Sequence, residues 1–198
     1  MAASKEKPTR TDDHALAQLR YIRHTMDGAT RFTAVPGLGM VVVGTSAVVA
    51  AAYASTRADT ASLLAVWAVE GLFALTVGMI ALYAKTRRMG VDIARGSARK
   101  FLLALVPSGL CAVALSFALT VHEQLDLVPA VWLTGYGTGV IAAGAHSVAV
   151  VPLLGAAFIC CGLIALVLNP SYANLLLGGA FGGLHIVFGS YIARHHGG

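Results

Sequence analysis

In a chain of 198 residues, 57% hydrophobic and 12% charged, too few charges are present for a water-soluble domain, where roughly a quarter of residues are charged. The net charge of +5 does not point to nucleic acid, because the cations flank apolar blocks, where they set membrane topology. The fold class this implies is all-α: a polytopic integral membrane protein of six transmembrane helices packed as a bundle.

Residues Met1 to Arg10 are polar and are expected to be disordered. From Thr11 a short amphipathic helix is expected over about residues 11–27. Thr11 can cap it, Asp12 and Asp13 suit its positive first turn, and Ala15, Leu19, Ile22 and Met26 recur at helical spacing. Such a helix lies along a membrane surface with Arg20 and Arg23 toward headgroups, or docks a partner protein. Residues 1–31 thus form a cytoplasmic N-terminal segment, 32–193 the membrane domain and 194–198 a short cytoplasmic tail.

Six apolar blocks follow, at about 32–54, 62–84, 101–121, 127–145, 147–168 and 172–193. Each is close to the about 20 residues that cross a bilayer core as a helix, and none alternates as a barrel strand would. Ala52-Tyr53-Ala54 resembles a signal-peptide cleavage site, but the polar region before the block is longer than a usual n-region, so the block reads as a retained span. Of fourteen basic residues, six precede the first span, six lie between the second and third (Arg87 and Arg88 among them) and Arg194 follows the last. Only Arg57 falls on the other side, which places both termini in the cytoplasm. Small size and Ala/Gly richness favour a bacterial inner membrane. Anionic lipid at the cytoplasmic face is the expected partner, with a partner protein or a second copy of the chain as further ones.

Val-Pro pairs at Pro36, Pro107 and Pro152 suggest three helical hairpins, 1 with 2, 3 with 4 and 5 with 6. Cys111, Cys160 and Cys161 lie inside spans and read as small buried hydrophobes. In span four, Thr134-Gly135-Tyr136-Gly137 shares letters with a potassium filter. The order differs, however, and one apolar block leaves little room for a re-entrant segment. Gly135 and Gly139, Gly178 and Gly182, and Gly179 and Gly183 instead stand four apart, the spacing at which small residues let membrane helices approach.

Glu70 is alone among the acidic residues in lying within a span, about eight positions from its outer end. A carboxylate at that depth is costly and marks either a function or a bond to a neighbouring helix. His185 lies just inside the midplane of span six, about 8 Å from the level of Glu70, and Tyr136 near the midplane wants a hydrogen-bond partner. These three are the candidate ligand- or proton-binding residues. Thr45, Thr76, Ser108, Ser116 and Thr138 are further hydroxyl candidates. His146 and His185 could in principle hold a haem, but nothing else calls for one, and no metal or other cofactor is expected. No hydrolase, metalloprotease, Walker or dinucleotide motif is present, so no catalytic residue is assigned. The expected function is a non-enzymatic membrane component (scaffold, sensor or complex subunit) binding a partner protein or anionic lipid at its basic cytoplasmic face. The alternative is a small secondary transporter moving a proton, cation or small polar solute by way of Glu70, with His185 assisting.

Overall fold

A computed structural model describes residues 32–196 together with Gln18. Apart from that one residue, the amphipathic helix expected over 11–27, with Arg20 and Arg23, lies outside the described residues. Among the described residues all regular structure is helical. The helices are α1 (Gly37–Ala54), α2 (Thr60–Arg88), α3 (Gly96–Val121), α4 (Val128–Gly144) and α5 (Val150–Val167). The sixth span runs from Pro170 to His195 and is built from α6 (Ala173–Leu177), a π-helical stretch (Gly178–Leu184) and α7 (His185–His195). All six spans are long and apolar enough to cross a membrane, and the chain is a six-helix membrane protein.

Local chemistry sets the ends of these helices. Pro36 stands at the N-cap of α1, so the first span begins at Gly37 and not at Phe32 as expected. The residues before it are held differently: the Phe32 amide donates to His146 O at 2.7 Å and Ser147 Oγ donates to Phe32 O at 2.7 Å. Asp59 caps α2 by accepting from the Ser62 amide at 2.8 Å, and the Ser62 hydroxyl also donates to it. Burial of the carboxylate plays little part there. The Ser62 hydroxyl first, then its amide, hold the Asp59 carboxyl below the usual carboxylate range. Gly90, after α2, and Gly96, at the first position of α3, take φ values of 66° and 58°, open to glycine at no steric cost.

Two intimate antiparallel pairs form the centre. One is α4 with α5; the other is α1 with the sixth span. In the first, a Cβ added to Gly137 would stand 2.6 Å from Gly155 O, and one added to Gly155 would stand 2.6 Å from Gly137 O. In the second, Gly44 faces Gly182 O at 2.7 Å and Gly37 faces Gly189 O at 2.7 Å on the same measure. Backbone therefore lies on backbone, the packing that replaces hydrophobic drive between helices in lipid. Helices α2 and α3 flank this centre, α2 on α1 and α3 on α4. Half of the most apolar window of span four is buried and none of that of α3.

The three-hairpin arrangement is thus modified. Spans five and six touch, but α5 packs chiefly on α4 and the sixth span chiefly on α1, because those are the faces where glycines oppose each other. Cys111 and Cys160 are exposed on the bundle's flank rather than buried, and Cys161 is half-buried.

Candidate functional site

Tyr136 owes its direction to the glycines beside it. Gly135 is laid on Ala112 of α3 and Gly137 on Gly155 of α5, which leaves the tyrosine between them aimed at the sixth span. The whole Thr134–Gly139 stretch is helical within α4, so these residues form no extended filter. Gly139 meets Ser108 of α3, Gly178 meets Ala51 of α1 and Gly182 meets Val48 and Gly44 of α1, all as helix contacts. Gly179 and Gly183 are different: a Cβ on either would meet nothing within 4 Å. Their expected packing role is corrected, since no neighbouring helix meets them at that distance.

The Tyr136 hydroxyl lies 2.7 Å from His185 Nε2, and His185 Nδ1 lies 2.9 Å from Phe181 O. A carbonyl can only accept, so Nδ1 carries a hydrogen and donates to Phe181. In the neutral ring Nε2 then accepts from the Tyr136 O–H. The local helix geometry makes this possible. The His185 amide turns to Gly182 O at the end of the π-helical stretch, leaving Phe181 O, its ordinary α-helical acceptor, to the imidazole. Phe158 and Phe181 close around the pair: the Tyr136 ring is 4.7 Å from Phe158 and 5.4 Å from Phe181, centroid to centroid, and the His185 ring is 5.3 Å from Phe158. His185 is 4% exposed. With both ring nitrogens bonded inside the chain, the His185 ring is not free to ligate haem iron.

Glu70 does not join them. Its Oε1 accepts from the Ser46 hydroxyl of α1 at 2.7 Å, and it lines a groove between α1 and α2 on the flank of the bundle. Tyr136 and His185 are bonded to each other and Glu70 to Ser46, so the expected grouping of the three is corrected. The hydroxyls proposed as further candidates mostly bond their own helices: Thr45 to Val41 O, Thr76 to Leu72 O, Ser108 to Leu105 O and Thr138 to Thr134 O. Ser116 bonds Ala112 O and also accepts from Trp132 Nε1 at 2.9 Å.

Several tying residues escaped the sequence reading. Trp67 Nε1 donates to Asn174 Oδ1 at 2.9 Å, and Asn174 Nδ2 donates to Ala51 O at 2.9 Å, joining spans two, six and one near the end that carries Arg57. At the opposite, basic end, Lys85 turns inward and Nζ donates to Val35 O at 2.9 Å and to His196 O at 3.2 Å. Ser46 was legible in retrospect: in an antiparallel hairpin closed by the short turn before Asp59, Ser46 and Glu70 fall at one level. Among the described residues no group of three or more His, Cys, Asp or Glu side chains is placed to hold a metal. Compared with protein-family models, curated proteins and solved structures, the chain matches none.

Proposed function

We propose that the protein is a non-enzymatic membrane component of the bacterial inner membrane, with both termini cytoplasmic, whose basic face binds anionic lipid or a partner protein. The observation that carries this reading is the construction of the basic end. Lys85 ties the entry of α1 to the end of the sixth span, and Phe32, His146 and Ser147 tie the same entry to the α4–α5 turn. Around this braced surface Arg87, Arg88, Arg99, Lys100 and Arg194 are exposed. A braced surface presenting exposed cations suits acidic headgroups or an acidic protein surface, with each charge near a membrane surface contributing about 1 kcal/mol.

The transport alternative has less support. Its two central residues are bonded to different partners on different helices, and a solute path ordinarily draws polar groups from several spans to one place. The test of the preferred reading is native mass spectrometry of the purified chain with the five exposed cations of the α2–α3 region changed together (Arg87, Arg88, Arg95, Arg99 and Lys100, each to Gln). Loss of anionic-lipid adducts with neutral-lipid adducts retained is expected; unchanged anionic adducts, together with unchanged co-purifying proteins when residues 1–28 are deleted, refute it. Proton or solute flux in liposomes that disappears in Glu70→Gln would favour the transport alternative instead.

A further inference from the structure

A groove of about 700 Å³ lies between α1 and α2 on the flank of the bundle. Val49 and Tyr53 of α1 and Val69 and Phe73 of α2 form its walls, and all four are exposed. Ser46 and Glu70 supply its polar part. Glu70 is about ten residues along the 29-residue α2, some 15 Å from its start at 1.5 Å per residue, well within the hydrocarbon. A carboxylate there requires a compensating charge or donors. Among the described residues it has one hydroxyl, on one oxygen, and that hydroxyl also lies 2.8 Å from Val43 O. Arg57, in the turn after α1, is held over the Tyr53 ring at 4.3 Å, and Tyr53 is itself some 10 Å along the helix from Ser46, too far away to neutralise Glu70.

The chemistry of an occupant follows from the walls. A small inorganic cation would have to shed its water among valines, with one carboxyl in exchange, and a metal site needs more ligands than that. A neutral hydrocarbon gains nothing from Glu70 that lipid chains do not already provide. An organic cation with its charge spread over apolar groups satisfies both demands: it dissolves in the bilayer, arrives sideways, sets its hydrocarbon on Val49 and Val69, and brings its charge to the carboxylate and to the Phe73 ring. We propose that this groove is a lateral binding site for a hydrophobic organic cation, with Glu70 as the counter-charge and Ser46 as the positioning residue that holds the carboxyl toward it. This rests on the flank and not on the basic end, so it stands or falls separately from the reading given above.

The test is equilibrium binding of tetraphenylphosphonium to the full chain in lipid nanodiscs. Saturable binding of one cation per chain is expected, weakened at least about tenfold, or 1.4 kcal/mol, in Glu70→Gln, while tetraphenylborate, the same shape with opposite charge, does not bind. Ser46→Ala keeps the carboxyl and is expected to weaken binding less than Glu70→Gln does. Should Glu70→Gln fail to fold, judged by elution and helicity, Val69→Trp fills the groove without removing the carboxyl and must abolish binding in the same way. Equal binding by wild type and Glu70→Gln, equal binding of tetraphenylborate, or no saturable binding by wild type overturns the proposal. So does a dimer in the nanodisc that Glu70→Gln splits into monomers, which would assign the groove to a second copy.

Discussion

Gly137→Ala tests the central packing most directly. The new methyl would stand 2.6 Å from Gly155 O, 2.8 Å from Ile159 Cγ1 and 2.9 Å from Ile159 N. Two of those atoms are backbone, so no rotamer change relieves them, and α4 and α5 must separate by most of an ångström to restore ordinary contact. Overpacking of this kind costs about 1–3 kcal/mol, and a backbone target puts it at the upper end. The higher helix propensity of alanine returns up to about 1 kcal/mol. The net expectation is about 2 kcal/mol of destabilisation, measured by reversible unfolding in mixed micelles with Trp67 and Trp132 as fluorescent reporters. Gly155→Ala meets the same contact from the other side. Once either change has parted the helices, the second adds little, so the double variant is less destabilised than the sum of the two. Gly71→Ala is the control, because a Cβ there meets nothing within 4 Å. If Gly137→Ala proves no more destabilising than Gly71→Ala, or if the two central changes add fully, the backbone-on-backbone contact does not hold these helices together.

Three further outcomes are expected. Tyr136→Phe removes the donor to His185 Nε2 and lowers stability by about 1–2 kcal/mol in the same unfolding assay, with the ring packing preserved. Lys85→Met releases the Val35 and His196 carbonyls, and faster amide exchange in the α1 entry and at the end of α7 should show it by mass spectrometry, with the centres of α4 and α5 unchanged. Asp59→Ala lowers the thermal midpoint near neutral pH. Because the folded carboxyl is held below its ordinary value of 3.8, the stabilisation it gives is complete above that value and is lost as pH falls through the lower folded one, so the gap between wild type and variant should close in acid.

The spans themselves were readable because continuous apolar length is a strong signal, and the errors lie where length says nothing. Phe32 to Val35 are as apolar as a helix, yet Pro36 stops the helix short of them and hydrogen bonds to the α4–α5 turn hold them outside it. Glycines at four-residue spacing were the visible cue, and Gly178 and Gly182 do face α1; the glycine-on-glycine contacts there instead recur at seven residues, Gly37 and Gly44 on α1 against Gly189 and Gly182 on the sixth span. Antiparallel helices that touch along their length meet once every two turns, which a four-residue search does not sample. Glu70 could be given a depth but no direction, because α2 is apolar on every side and has no polar stripe to reveal which face meets protein. Tyr136 and His185 could each be placed near mid-depth, but their pairing depended on which spans are neighbours, and chain order alone suggests five beside six more than six beside one.

The ring cluster has a mechanical meaning that neither glycine seam has on its own. Each seam welds two helices into a plank, and Tyr136 sits on one plank while His185 sits on the other. Sliding or tilting the planks against each other stretches that short bond in the interior, as it stretches the Phe32 bonds to His146 and Ser147 at the basic end, so an imidazole resonance or a tyrosine infrared band would register a change of alignment between them.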